Sequence, residues 1–184
     1  MRTIPTGPAQ RFFGTALLFA ALAVPIAFPP AARAQGAEET SQKFGDWTLK
    51  CRGTAAAGAC VLVQDIIFRQ SGKRVLNVSI VGAGQKNGYV VAVTAPLGIL
   101  LPAGLTLVID DAEAVKFPLR LCNVNGCQGS FPFANDVKEL FYGAQKGQVM
   151  FRQPNGRPLR VNFSLNGFKD AFAAFRSQTG ARPD

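Results

Sequence analysis

Apolar and polar residues alternate along most of the chain after residue 43, with the period of two that is typical of a β-strand with one buried face. Gly, Pro and Asn turns such as PNGRP separate these runs. The density of short strands favours one antiparallel β-sandwich over a fold that alternates strands with long helices. The predicted strands lie within 47–51, 60–68, 73–81, 88–96, 105–109, 115–121, 148–153 and 159–163.

Two short helices are also predicted. Asn135 can cap the first helix, which should end at Gly143. Its buried face is expected to carry Val137, Leu140 and Phe141.

The second helix lies near the end of the chain. Phe168, Phe172 and Phe175 follow the i, i+4, i+7 spacing of one helix face, with Asn166 or Ser164 as the cap. Such an aromatic stripe is more often core packing than a ligand site.

The first 34 residues have the pattern of a secretory signal peptide. Arg2 and Arg11 precede an apolar run at 12–28, and Ala32-Arg33-Ala34 supplies small residues for cleavage after Ala34. A transmembrane anchor is the alternative, but 17 residues interrupted by Gly and Pro are short for a span of about 20. We therefore expect a periplasmic or secreted protein without a transmembrane segment. Its divisions would be a signal peptide at 1–34, a loose polar leader at 35–42, one domain at 43–176 and a tail at 177–184.

An even number of cysteines in an exported chain predicts disulfides. The local pairing would join Cys51 to Cys60 and Cys122 to Cys127. Each of these disulfides closes a short loop and would stabilise the folded state by about 2 to 3 kcal/mol. In a crossed pairing, each disulfide would stabilise the folded state by about 4 kcal/mol, but distant strands would have to meet. The Asn-Gly turn between the last two cysteines favours the local pairing. Neither the spacing of a zinc site nor that of a redox C-x-x-C motif is present.

The composition weakens most enzyme interpretations. The chain has no His, which removes the commonest general base and every His-containing metal or haem site. Asp110, Asp111 and Glu113 cluster in DDAEA, but they lack the calcium-loop pattern and are better explained as a solvated hairpin turn. The residues predict no catalytic set, no cofactor and no metal.

Positive charge is concentrated near the end of the chain. After residue 34 there are 17 Lys and Arg against 11 Asp and Glu, and residues 146–184 hold seven of these bases and two of the acids. Arg152 and Arg160 can lie outward on the last two strands with Arg157 between them, which would form one basic face. Lipid phosphates or acidic glycans of the cell envelope would be its natural partners, and nucleic acid would not. The alternative is a basic surface that only aids solubility.

Several short motifs follow one another in an ordered pattern. They are FGDW at 44–47, Cys51, Cys60, Gln64, PLG at 96–98, LPAG at 101–104, Asp110, Cys122, Gly126-Cys127, LNGF at 165–168 and Ala171.

In order and spacing, these motifs resemble the invasion-associated locus B family. The resemblance implies an exported protein of alphaproteobacterial type, an immunoglobulin-like β-sandwich with two disulfides and no known enzymatic activity. The family name refers to members linked to invasion of red blood cells, and no catalytic residues can be carried over.

Two motifs can be interpreted physically. Trp47 lies four residues before Cys51, so it is expected to be buried near that disulfide. In PLGILLPAGL we expect a bent edge or hairpin arm. Its apolar residues Ile99, Leu100 and Leu101 should be buried against the second sheet, although they could instead face a partner.

Three functional hypotheses follow. The leading one is a non-enzymatic binding or structural module of the cell envelope, connected with host-cell invasion only by the family name. A periplasmic thiol-redox or chaperone-like factor would require accessible, exchangeable thiols. A cryptic hydrolase would require a cleft with perturbed carboxylates or lysines.

Overall fold

A computed structural model describes residues 39–53, 59–83 and 88–179 of the chain. It confirms the predicted antiparallel β-sandwich with two helices and two disulfides. The predicted signal peptide lies outside the described residues. The strands are β1 (Glu39–Phe44), β2 (Trp47–Arg52), β3 (Cys60–Phe68), β4 (Lys73–Gly82), β5 (Tyr89–Ala95), β6 (Leu105–Ile109), β7 (Ala112–Phe117), β8 (Leu119–Asn123), β9 (Gly126–Pro132), β10 (Lys146–Arg152) and β11 (Pro158–Ser164), and the helices are α1 (Asn135–Gly143) and α2 (Phe168–Thr179).

The strands form two sheets. The larger sheet has the order β1-β2-β3-β4-β5-β9-β8, and the smaller has the order β11-β10-β6-β7. Both predicted disulfide pairings are confirmed, and each joins directly opposed residues on adjacent strands. Cys51 lies opposite Cys60, and Cys122 lies opposite Cys127.

The core lies between the sheets and under α2. Trp47 is fully buried, as predicted. The aromatic stripe of α2 is also confirmed as core packing, because Phe168, Phe172 and Phe175 are all 1% exposed or less. The Phe168 ring lies 5.0 Å from the Trp47 ring, centre to centre.

The prediction of one strand at 115–121 was wrong. The segment forms β7 and β8, which belong to different sheets. Pro118 separates them and has no backbone N–H to continue a strand ladder. The alternation of apolar residues crosses this break, so it could not reveal the change of sheet.

The edges of the domain also differ from expectation. Residues 39–42 of the predicted loose leader pair with β2 as part of β1. At the other end, α2 continues to Thr179, three residues into the predicted tail. All of β1 except Phe44 is exposed, so it lacks the alternating burial on which the strand predictions depended.

The prediction for α1 needs two corrections. Ala134, not Asn135, occupies the N-cap position, and no side chain caps the helix there. Leu140 is 43% exposed, whereas Val137 and Phe141 are buried.

The segment after β5 is neither a strand edge nor a hairpin arm. It forms a loop with a short 3-10 helix, Leu101–Ala103, that leads into β6. The expected burial of this segment was wrong for Leu101, which is 48% exposed, while Ile99 and Leu100 are half-buried. Pro96 and Pro102 limit strand pairing here.

Tyr89 carries a buried hydroxyl that has no hydrogen-bond partner within the described part of the chain. Its ring packs 4.9 Å from that of Phe172. We expect Tyr89→Phe to raise the free energy of unfolding by about 1 kcal/mol, because it removes an unsatisfied buried polar atom and keeps the ring. Chemical denaturation would measure this, with Tyr142→Phe as a control at a more exposed phenol. A loss of stability would contradict the prediction.

Candidate functional site

The turn between β1 and β2 meets the segment between β11 and α2. The Asp46 backbone N–H donates to the Asn166 carbonyl at 3.3 Å, and the Trp47 indole N–H donates to the Ser164 carbonyl at 3.0 Å. The FGDW and LNGF motifs are therefore in contact, although about 120 residues separate them in sequence. We call this contact the motif junction.

Glycines allow the two segments of the motif junction to approach closely. Gly45 and Gly167 have φ values of 55° and 78°, which side chains other than that of glycine rarely adopt. A Cβ atom on Gly167 would collide with the Phe44 carbonyl oxygen. A Cβ atom on Gly45 would lie 2.6 Å from the Asn166 carbonyl oxygen.

Gln64 completes the motif junction from β3. Its side-chain amide donates to the carbonyls of Asp46 and Ser164, each at 3.1 Å, and its oxygen accepts from the Ser164 N–H at 2.8 Å. Gln64 is buried, with only 6% of its surface exposed. The sequence placed Gln64 in the motif pattern but gave it no role. These contacts link β3 to both segments of the motif junction.

The three predicted binding arginines lie on and between the last two strands. Arg152, Arg157 and Arg160 are all exposed, and we call residues 152–160 the arginine hairpin. Arg152 lies opposite Pro158, so Arg160 is its diagonal neighbour on the same face, at about 7 Å. The Arg152 guanidinium donates to the Gly156 carbonyl at 2.9 Å, and that of Arg160 donates to the Gln148 side chain at 3.5 Å.

Charge is separated along the outer face of the smaller sheet. One row across it contains Lys116, Thr106, Met150 and Arg160, so a further base shares the face with the arginine hairpin. No Asp or Glu occurs between residues 139 and 170. The carboxylates of DDAEA begin at the opposite end, next to the pairing of Ile109 with Gly147.

The DDAEA segment forms the predicted hairpin turn. Asp110 and Asp111 connect β6 to β7 with φ values of 48° and 66°. Two central residues with positive φ are typical of a tight two-residue hairpin. Within the described ranges, no group of three or more acidic or Cys side chains could hold a metal ion.

An open groove of about 760 Å³ lies beside the motif junction. Its basic lining residues are Lys43, Lys50, Arg69 and Lys146. Asp46 and Asp65 also line it, so its charge is mixed. The groove therefore contains acids as well as bases, whereas the arginine hairpin contains only bases.

Tyr142 is a titratable group with a displaced pKa. Burial raises the pKa of its phenol above the usual value and outweighs the opposing charges of Arg176 and Lys138. A phenol is already protonated at neutral pH, so this raised pKa leaves its charge there unchanged. It lies on α1, where its ring packs against Phe168.

No helix within the described ranges is both long and apolar enough to cross a membrane.

Comparison with known proteins identifies related sequences over most of the chain. The sequence model for the family described as "Invasion associated locus B (IalB) protein" matches residues 47–176. An invasion protein B homolog from Brucella abortus (strain 2308) is 29% identical over 172 residues, which is 92% of this chain and 97% of the relative. Invasion protein B from Bartonella bacilliformis is 29% identical over 149 residues, which is 77% of each chain.

A solved structure has a similar fold. The crystal structure of invasion associated protein B from Bartonella henselae matches with a TM-score of 0.66 at 20% sequence identity. The match covers 77% of this chain and 99% of that chain.

Proposed function

The chain belongs to the invasion-associated locus B family, and from this premise we propose that it is a non-enzymatic binding module of the cell envelope with an anionic partner. The candidate contact surface is the arginine hairpin. The partner would be an envelope or host-surface component that carries phosphate or carboxylate groups, such as an anionic lipid or an acidic glycan. A role in host-cell invasion enters the proposal only through the names of the relatives.

The separation of charge carries this proposal. The arginine hairpin has three exposed guanidinium groups and no nearby acid in sequence. Measured along β10, the Asp110–Asp111 turn is about five residues from Arg152 and about three residues from Arg160, so even the shorter distance is about 10 Å. That distance exceeds the screening length of about 8 Å at physiological salt, so the acids do little to neutralise the arginines.

Export is part of the proposal. Two disulfides are typical of proteins outside the cytoplasm. We propose a signal peptide at residues 1–34, cleavage near Ala34 and a periplasmic or secreted mature protein.

We favour binding over thiol-redox activity because the cysteines are paired and three of the four are poorly placed for exchange. All four are paired, and Cys51, Cys60 and Cys127 are 8%, 4% and 2% exposed. Thiol exchange requires an attacking thiolate to reach a disulfide sulfur. Only Cys122, among the four, lies in an exposed position.

Reversing the charges of the arginine hairpin tests the binding function. The triple variant Arg152→Glu, Arg157→Glu and Arg160→Glu should weaken binding to a phosphate-bearing polyanion at least about tenfold at physiological salt, because it replaces attraction by repulsion. Binding of the unmodified protein should also weaken as salt is raised. Titration with polyphosphate would measure both effects.

A matched control for this variant changes the groove. Lys43→Glu, Lys50→Glu and Arg69→Glu alter the net charge equally but leave the arginine hairpin intact. If the groove variant loses more binding than the hairpin variant, or if the protein binds no polyanion, the proposed function is wrong. Melting temperatures would show that each variant is folded.

A further inference from the structure

Exposed leucines lie at the same end of the smaller sheet as the arginine hairpin. Leu97 and Leu101 are 55% and 48% exposed, and Leu159 of the hairpin is 41% exposed. The Leu100 backbone N–H donates to the Arg152 carbonyl at 2.8 Å, which holds the loop at 97–103 against the strand that carries the first arginine. Apolar and cationic side chains therefore share one end of the sheet.

We propose that this end is a peripheral membrane-binding surface for anionic bilayers. The arginines contact lipid phosphates, while Leu97 and Leu101 enter the boundary between head groups and acyl chains. The inference rests on the proposed function, because the same arginines bind the anion, and it narrows the partner to a lipid surface.

The leucines favour a bilayer over a soluble polyanion. A hydrated glycan or polyphosphate offers phosphate or carboxylate groups to the arginines, but it offers little apolar surface to the leucines. A bilayer boundary satisfies both, because apolar burial and attraction to anionic head groups add together there.

The loop at 97–103 already has a defined conformation. The Ala103 and Gly104 N–H groups donate to the carbonyls of Leu100 and Leu101, at 3.2 and 3.0 Å. Gly104 has a φ of 65°, and a Cβ atom there would lie 2.6 Å from the Phe117 carbonyl oxygen. A loop held in this way loses little conformational entropy when its leucines bind.

The charge separation also fits one orientation on a membrane. With the arginine hairpin against the lipid, the Asp110–Asp111 turn lies at the far end of the sheet. An anionic surface would repel carboxylates, and here the turn that carries them lies at the end of the sheet away from the lipid.

The test compares vesicles with a soluble polyanion. Binding of the purified protein is measured by co-sedimentation with phosphatidylcholine vesicles, with and without phosphatidylglycerol, and by titration with polyphosphate. The double variant Leu97→Ser and Leu101→Ser is compared with the control Leu140→Ser, which changes a similarly exposed leucine on α1. All variants share one N-terminus, so differences between them arise from the substitutions.

We expect binding to vesicles that contain phosphatidylglycerol and none to phosphatidylcholine alone. The double leucine variant should bind these vesicles at least about tenfold more weakly and bind polyphosphate normally, because it loses only apolar burial. Leu140→Ser should behave like the unmodified protein.

Two results would overturn the inference in different ways. If the double leucine variant binds vesicles normally while the triple arginine variant does not, the leucines do not enter the bilayer and anion binding by the arginine hairpin stands. If the triple arginine variant retains all binding, or no binding occurs, the proposed function fails as well. Leu101→Ser alone provides a milder variant if the double substitution lowers the melting temperature.

Discussion

Phe168→Ala should lower the free energy of unfolding by about 4 kcal/mol, in the range found for deleting a buried aromatic side chain. The ring is completely buried where α2 packs against α1 and the larger sheet. It lies 5.0 Å from the rings of both Trp47 and Phe141 and 5.7 Å from that of Phe172. Alanine would leave a cavity that these rigid rings cannot readily fill.

The exposed Phe68 provides the matched control for this substitution. Phe68→Ala removes the same atoms from a side chain that is 50% exposed, and it should cost less than about 1 kcal/mol. Chemical denaturation measures both variants, and Trp47 fluorescence reports directly on the affected region. Equal losses of unfolding free energy in the two variants would contradict the role of Phe168 in core packing.

Gln64→Leu should lower the free energy of unfolding by about 3 kcal/mol. Leucine has a similar size, but it leaves the Ser164 N–H and the Asp46 carbonyl without the partners that the buried Gln64 side chain supplies. Gln64 makes three such hydrogen bonds, and each contributes about 1 kcal/mol to stability. The loss therefore measures how strongly β3 links the two segments of the motif junction.

Hydrogen exchange provides a second readout for Gln64→Leu. The Ser164 amide should exchange faster, since it loses its acceptor. Gln148→Leu is the control, because Gln148 is partly exposed and its side chain has only the 3.5 Å contact with Arg160 among the hydrogen bonds described. A neutral effect of Gln64→Leu would contradict the role assigned to this residue.

Strands were predicted most accurately from the sequence where buried and exposed residues alternate. β5, for example, has a buried residue at every second position from Tyr89 to Ala95 and lies within the predicted range 88–96. β9 was missed because it contains Gly126 and Gly129, where glycine permits close packing instead of supplying apolar area. A Cβ atom on Gly129 would lie 2.7 Å from the Pro118 carbonyl oxygen. Such a requirement depends on a neighbouring strand and leaves no periodic signal.

The candidate sites were predictable to different degrees. The arginine hairpin could be identified because Arg152, Arg157 and Arg160 lie close together in sequence on two paired strands. The motif junction could not be identified in this way. Periodicity indicates which face of a strand is buried, but it does not indicate which distant loop covers that face. The position of Leu101 beside the arginines was missed for the same reason, since a backbone hydrogen bond between two distant segments holds its loop there.

The connectivity of the two disulfides affects how they would form in an exported chain. Each cysteine is bonded to the next one in sequence, the first to the second and the third to the fourth. If the chain crosses the membrane from its N-terminus, as the proposed signal peptide implies, each pair emerges together, and oxidation in order of emergence gives the native connectivity. Folding would then need an oxidant but no isomerase to correct wrong pairings, and each hairpin would be covalently closed before the C-terminal helix arrives to cover the core.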